Sequence, residues 1–278
     1  MKTQWLVENF THESSYMELV KAIKKEGYPL FEIKGDFKNA DVMPFNNWDT
    51  PVIFLGSIQM TQMMQKLLTQ TSPVTYCTQE NFKCTNYMSH FGKYLFNDKY
   101  SIISMAELER QKFHFYATYG KDTLIFVRPD SGEKPFQAGL VDLQDFDVFM
   151  SYGKDHPHQL VVVSTPKNIR GEWRFVVTSD QDIISCSTYR YQGKITRCAS
   201  APPEATKLVK EMLKVPYYPD RVFVMDVCED NDGNYWLLEL NSFSSAGLYA
   251  CDMSEIVKKV STIAEDDWSK WRKNSFHS

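Results

Sequence analysis

The sequence predicts an α+β protein with antiparallel sheets, and three observations carry that reading. Helical stripes and short strand-like runs are mixed along 278 residues without the regular alternation of repeated βαβ units. From Asp122 onward the chain turns to short apolar runs divided by turn residues, with hairpin signals between them. The length corresponds to about two structural units of roughly 150 residues. No repeat and no low-complexity tract divides it further.

Taken in order, Ser15 to Lys25 reads as a helix, because Met17, Leu19, Val20 and Ile23 fall on one stripe. Leu30 to Ile33 and Pro51 to Leu55 read as strands. Ser57 is placed to cap a second helix whose Met60, Met63, Met64, Leu67 and Leu68 recur at helical spacing, a core stripe rather than a binding face. Residues 71 to 100 show no clear period. Thr123 to Arg128 is a strand stopped by Pro129, and Leu160 to Val163 is a short apolar run stopped by Pro166. Arg174 to Val177 and Ile183 to Ser187 flank the turn Ser179–Asp182. Pro202–Pro203 opens a helix to about Lys214, strands follow at Arg221–Val227 and Tyr235–Leu240, and Ser254 to Trp271 closes the chain as a helix. A weak boundary falls near residue 120.

Composition narrows the function classes. Hydrophobic residues make up 43% and charged residues 24%, and the formal charge is −4. That supports a folded core and gives no basic excess of the kind a nucleic-acid coat protein carries, so nucleic acid is an unlikely partner. No apolar run reaches the roughly 18 to 20 residues of a membrane span, and the first residues carry no signal-peptide core. The expected location is the cytoplasm. Six cysteines without a Cys-x-x-Cys pair read as reduced thiols, and His156-Pro157-His158 as a polar loop.

The informative stretch runs from Arg221 to Asn241. Asp232-Gly233 is a two-residue hairpin signal; centring a type I′ turn there puts Asp226 opposite Glu239. Opposed residues share a face with Cβ atoms about 4.5 to 5.5 Å apart, and Asn241 falls on that face by alternation. Both strands are otherwise apolar, so the acids are costly: at about 5 Å they repel by roughly 1 kcal/mol in water and by several at an effective dielectric near 20. Such a pair protonates, recruits Lys or Arg, or binds a cation, and two carboxylates with an amide suit Mg²⁺. The competing reading is a solvated hairpin end. A one-residue slip would destroy the arrangement. The same stretch superficially fits a calcium EF-hand loop, but Cys228 would take its first ligand position and the flanks are strands.

Two further features stand upstream. Arg128 ends a strand, and the turn holding Ser131, Gly132 and Lys134 offers backbone N–H groups and a cation for phosphate, or is a simple hairpin connection. In Gly171-Glu172-Trp173-Arg174, alternation puts Glu172 and Arg174 on one face, as site residues or as an exposed ion pair worth roughly 0 to 1 kcal/mol.

In this order the pieces resemble the ATP-grasp superfamily, and most closely its R2K clade of phage and bacterial proteins, through Val-Arg-Pro-Asp-Ser-Gly (127–132), Glu-Trp-Arg-Phe-Val-Val (172–177) and Leu-Glu-Leu-Asn-Ser-Phe-Ser (238–244). The likeness covers about residues 120 to 250. It implies an ATP-grasp fold, two α+β subdomains clasping ATP between antiparallel sheets, preceded by a small α/β pre-grasp domain. Residues 1–115 would be the pre-grasp region and 116–278 the grasp domain, with a lid at about 116–163 and a catalytic subdomain at about 164–278. By the same resemblance Arg128 contacts phosphate, with Lys134, Ser131 and Gly132 in the covering turn. Leu160 to Ser164, including Val162 and Val163, faces adenine, with Ser164 where an acid is often found. Glu172 lies in the nucleotide site, Arg174 reaches phosphate or the acyl intermediate, and Asp226, Glu239 and Asn241 ligate Mg²⁺. Ser242, Ser244 and Ser245 border the acceptor pocket. The implied activity is an ATP- and Mg²⁺-dependent carboxylate–amine ligase working through an acyl phosphate, on unknown carboxylate and amine substrates, in a host cytoplasm if phage-encoded. The alternatives are a small-molecule kinase and a non-catalytic nucleotide-binding or interaction module.

Overall fold

The computed structural model describes residues 2–9, 14–33, 50–68, 72 and 74–275. The chain opens with β1 (Gln4–Glu8), α1 (Ser14–Lys25), β2 (Leu30–Ile33), β3 (Val52–Leu55) and α2 (Ile58–Leu67). The strands form a parallel sheet in the order β2-β1-β3. Parallel strands need crossover connections and helical cover, which explains the nearly unbroken burial of β1. Gly27 leaves α1 at φ +72°, the left-handed geometry that ends many helices. Ser57 caps α2 as its position foretold, its Oγ accepting from Met60 N at 3.2 Å. Met60 and Met64 are buried in the core beneath.

The middle of the chain supplies a 3-10 turn at Gln79–Phe82, α3 (Cys84–Phe91), β4 (Tyr100–Ser104), α4 (Met105–Arg110), α5 (Lys112–Tyr119), β5 (Leu124–Pro129), β6 (Gly139–Asp142), α6 (Phe146–Asp155) and β7 (Leu160–Ser164). Its four-stranded sheet is antiparallel, in the order β4-β7-β5-β6. Ile125, Val127, Val161 and Val163 pack on Met105, Leu108, Phe115, Phe146 and Met150 from the three helices. Alternation therefore turns Phe126, Arg128 and Val162 to the other face.

The last part holds β8 (Gly171–Thr178), β9 (Ile183–Tyr191), β10 (Lys194–Cys198), α7 (Pro203–Met212), β11 (Val222–Glu229), β12 (Tyr235–Ser242) and α8 (Met253–Ser275). The sheet order is β10-β9-β8-β11-β12, antiparallel throughout. Trp173, Phe175, Val177, Phe223, Met225 and Val227 pack against α7 and α3. Val176, Val222 and Val224 face the other way, toward Ile256, Val257, Val260 and Ile263 of α8. The same core takes in Trp5, Val7, Leu19, Ile23 and Ile53, so α8 ties the first sheet to the last. Further along the α8 face of the large sheet stand Glu172, Arg174 and Asp226.

The structure departs from expectation in three places. A boundary at 115 cuts through α5, whose Phe115 packs into the four-stranded sheet. That sheet already begins at β4, while Phe82 to Leu95 pack with the large sheet. Nothing local in the sequence links a five-residue strand to a partner about sixty residues later. Second, the β11–β12 connection is not a two-residue turn: Asp230 N donates to Asn234 O, leaving the three-residue loop Asn231–Gly233 with Gly233 at φ +82°. The pairs next to it, Glu229–Tyr235 and Val227–Leu237, are one residue out of the expected register. Leu238 is an extra, bulged residue that restores it, so Asp226 does face Glu239. Third, β1, α3, β4, α4, α5, α6, β6 and β10 carried no clear signal in the sequence.

Candidate functional site

β11 and β12 bring two carboxylates together. Asp226 and Glu239 are direct partners in the ladder, and Asn241 Nδ2 donates to Asp226 Oδ2 and to Glu239 Oε1, both at 2.9 Å. They share one face of the sheet. Asp226 and Asn241 are buried, in line with the apolar flanks of the hairpin.

Each acid also has its own cation. Arg174, opposite Asp226 on β8, makes a fork of two bonds to it, Nε to Oδ1 at 2.8 Å and Nη2 to Oδ2 at 2.6 Å. Its Nη1 donates to Gly247 O at 2.7 Å, and its guanidinium lies 4.7 Å from the centre of the Tyr249 ring. Arg128 crosses from β5 of the four-stranded sheet, Nη2 donating to Glu239 Oε2 at 3.0 Å. Lys134 Nζ reaches Glu239 Oε1 at 3.2 Å. Of the ways to hold two close acids, the structure shows the recruitment of bases. They stand beside the carboxylates, and the group touching both is the Asn241 amide.

The electrostatics follow from this crowding. Burial pushes Glu239 toward the neutral form, but Lys134 and then Arg128 overcome it and hold the carboxyl well below the usual range. Asp226 moves the opposite way: burial raises it against the pull of Arg174, and the charge on Glu239 adds to the rise. Glu172 is raised by burial, with Arg190 opposing and Asp226 and Glu239 assisting, so it stands within electrostatic reach of the pair. Asp226 and Glu239 against Arg128, Lys134 and Arg174 leave one positive charge.

The loop after β5 is fastened from an unexpected side. Asp130 accepts from Thr85 N at 2.7 Å and Thr85 Oγ1 at 3.2 Å, and its carbonyl accepts from Cys84 N at 3.0 Å, so it caps α3 from a distant part of the chain. A Cβ on Gly132 would stand 3.0 Å from Phe82 Cβ and 3.1 Å from Gln79 Oε1, so glycine allows the loop to lie that close. Ser131 Oγ accepts from Glu133 N. Lys134 adopts φ +49° and turns back to Glu239. Asp130 stood in the quoted Arg-Pro-Asp-Ser-Gly motif, and only its partner Thr85, 45 positions earlier in the chain, was hidden.

The expected adenine segment needs correction. β7 is an inner strand: Val161 to Ser164 pair with β4 on one side and with β5 on the other. The backbones of Val162 and Val163 are thus committed to the ladder. Val162 shares the face of Arg128, whereas Val163 packs into the helices behind. Ser164 is fully buried, and its Oγ has no hydrogen-bond partner among the described residues; neither has Arg128 Nε. The chain becomes free of the sheet only after Ser164. There Pro166, Lys167 and Asn168 line a cavity of about 360 Å³ with Phe96, Lys121 and Trp236. Trp236 precedes Glu239 by three residues on β12, about 10 Å along the strand.

The serines after β12 divide. Ser244 is buried, its Oγ accepting from Tyr76 N at 2.8 Å and its carbonyl from Gly56 N at 2.8 Å, a structural tie to the first sheet. Ser242 and Ser245 share a hydrogen bond at 2.6 Å, and Ser245 lines a second cavity of about 170 Å³ with Tyr16, Gly56, Ser57 and Gly247. Among the described residues there is no cluster of three or more His, Cys, Asp and Glu side chains able to hold a metal, and no helix long and apolar enough to cross a membrane.

Solved structures share this architecture. The D-cycloserine synthetase DcsG superposes with a TM-score of 0.64 at 11% identity, covering 94% of this chain and 99% of its own. The D-alanine–D-alanine ligase of Bacillus anthracis does so at 0.60 and 12%, covering 99% and 100%. The ATP-grasp ligase PsnB, solved with precursor peptide PsnA2 and AMPPNP, gives 0.55 at 13%, covering 95% and 98%. At such identities the likeness is one of fold. No curated protein matches the chain significantly. The family model of the ATP-grasp domain, R2K clade family 3, matches residues 79–260. The two facing antiparallel sheets, the acid pair and that match agree: the chain has the ATP-grasp fold and belongs to the R2K clade of ATP-grasp domains, family 3.

Proposed function

We propose that the protein is an ATP-dependent carboxylate–amine ligase whose nucleotide lies between the four- and five-stranded sheets. The observation that carries this is the bridge from Arg128 and Lys134 to Glu239, which gathers cations from one sheet and acids from the other around a single point. The local surplus of one positive charge favours a polyphosphate, and the buried, unpartnered Nε of Arg128 is a donor suited to a phosphate oxygen. The base would occupy the cavity between Lys167, Phe96 and Trp236, at the other end of β12. A D-cycloserine synthetase, a D-alanine–D-alanine ligase and the ATP-grasp ligase PsnB share the fold, and PsnB has been solved with Mg and ADP.

The donor set also fits a divalent ion. Asp226 and Glu239 supply hard carboxylate oxygens, and turning the Asn241 amide over would replace its Nδ2 by Oδ1 toward them. When bound, Mg²⁺ would neutralise phosphate oxygens there. The chain's own part is positioning. Arg128 and Lys134 hold the phosphates, Arg174 orients the substrate carboxylate, and the low carboxyl of Glu239 keeps it ionised throughout the neutral range. The carboxylate oxygen attacks the γ-phosphorus, the bond to the bridging oxygen breaks, and ADP leaves. The amine nitrogen then attacks the acyl carbon, phosphate departs, and the amine gives up a proton. No covalent enzyme intermediate is required.

In this reading the grasp domain starts near Gln79: residues 79–96 pack on the large sheet of residues 171–242, and the four-stranded sheet begins at Tyr100. The test is ADP release from purified protein with ATP, Mg²⁺ and a panel of carboxylates and amines. Stimulation by a pair of them, lost in Glu239→Gln, is expected. A stable phosphoester product, or turnover unchanged in Glu239→Gln, would refute the reading.

A further inference from the structure

β10 is an edge strand of the large sheet, and every one of its residues from Lys194 to Cys198 is exposed. Among the described residues nothing pairs with its outer side, so a row of backbone N–H and C=O groups about 17 Å long faces solvent. The opposite edge is different: Leu95 pairs with Leu237, and Phe96 N donates to Leu237 O, which covers β12.

The open edge is one-signed. From Ile183 to Ala201 the hairpin carries Arg190, Lys194 and Arg197 and no Asp or Glu, in a chain of net charge −4. Lysines and bulges commonly protect an edge against pairing with a copy of itself. Here the protection is selective: a second basic strand is repelled and an acidic one is attracted. Ile195, 63% exposed, offers apolar contact between Lys194 and Thr196.

The edge is also coupled to the site. Between Arg190 and Thr188 the β8–β9 ladder skips Tyr189, and at the same level β10 places Thr196 and Arg197 against that one residue. Bulges re-aim side chains, and Tyr189 stacks on Tyr249 with centroids 4.5 Å apart and planes 16° from parallel. Tyr249 holds a left-handed backbone at φ +50°, an uncommon state for an aromatic residue. Arg174 lies 4.7 Å and Arg197 5.5 Å from the centre of this one ring. One tyrosine therefore separates the arginine on Asp226 from a cation on the open edge.

We infer that the free edge of β10 docks an extended acidic peptide, added as a further strand, which brings a carboxylate to Arg174 as the acyl donor. This rests on the ligase reading and specifies its substrate class. Backbone pairing supplies affinity, and Lys194 and Arg197 of β10 select for acidic side chains.

The test uses a fluorescein-labelled decapeptide of alternating Glu and Thr, titrated into the full chain with AMPPNP and Mg²⁺. Saturable binding is expected, at least tenfold weaker for the double variant Lys194→Glu, Arg197→Glu and for the same peptide N-methylated at alternate residues. Amide hydrogen exchange at residues 194–198 should slow on binding to the wild-type chain, a readout that does not depend on how the variant folds. The inference is overturned if the N-methylated peptide binds equally, if a Lys–Thr peptide binds as well, if those amides stay unprotected, or if a uridine decamer RNA displaces the peptide from that edge. AMPPNP binding without peptide is read separately. Its absence would sink the ligase reading, whereas nucleotide binding with unprotected β10 amides would sink the docking strand alone.

Discussion

Asp226 and Glu239 face each other across β11 and β12, and one amide, Nδ2 of Asn241, donates to both at 2.9 Å. The arrangement survives because Arg174 compensates the first acid and Arg128 with Lys134 the second.

Neutralising either acid removes charge while keeping shape. Asp226→Asn and Glu239→Gln should each lower ATP turnover about 100-fold or more, the scale of losing one electrostatic contact at a reacting centre. Asp226→Asn should also lower the melting temperature, since it leaves the buried Arg174 without its counter-charge. Steady-state ADP release and a thermal melt measure the two effects.

Arg128→Lys keeps a cation but gives up the planar fork and the unpartnered Nε. AMPPNP should bind about tenfold more weakly to this variant by calorimetric titration. Equal affinity would show that a point charge suffices and that the guanidinium geometry does nothing for the nucleotide.

Asp220 lies outside the site, beside Tyr76 and Asp267. Burial pushes its carboxyl up to about 6, against hydrogen bonds from the Thr78 and Arg221 backbones. Its pKa in the folded chain thus exceeds the unfolded value near 3.9. The folded state holds this proton more tightly, so its stabilising effect is complete below about pH 4 and is lost as the pH rises through about 6. Denaturant titrations from pH 4 to 7 should show that decline in the wild type and a flatter profile in Asp220→Asn.

Gly233 tests the loop that joins β11 to β12. At φ +82° an alanine is strained, yet no atom lies within 4 Å of its Cβ, so the cost is conformational alone, about 1 kcal/mol. Gly233→Ala should lose that much stability in urea titrations and keep its activity, because the Asp226–Glu239 pair is fixed by the ladder beyond Leu238.

The pairing of the two acids in this hairpin was legible in the sequence, because strand alternation and an Asp-Gly turn are local signals. Counting outward gave the right partner by a path that differs in detail. The loop is one residue longer on the register than a type I′ turn, and the Leu238 bulge takes up the difference. Neither deviation has a composition cue; each follows from how β12 meets its neighbours.

The sequence by itself determined the fold class, the acid pair with Asn241, and the strands that deliver Arg128 and Arg174, since period, turn chemistry and charge cost are all short-range. Only the tertiary structure decided that Arg128 reaches Glu239 across 111 positions, that β7 is buried between two strands and so withholds its backbone, and that Asp130 fastens the loop after β5 to α3. Those contacts join segments whose separation along the chain carries no pattern. What brings them together is the burial of apolar faces from three sheets, and a residue's own neighbours in sequence do not record it.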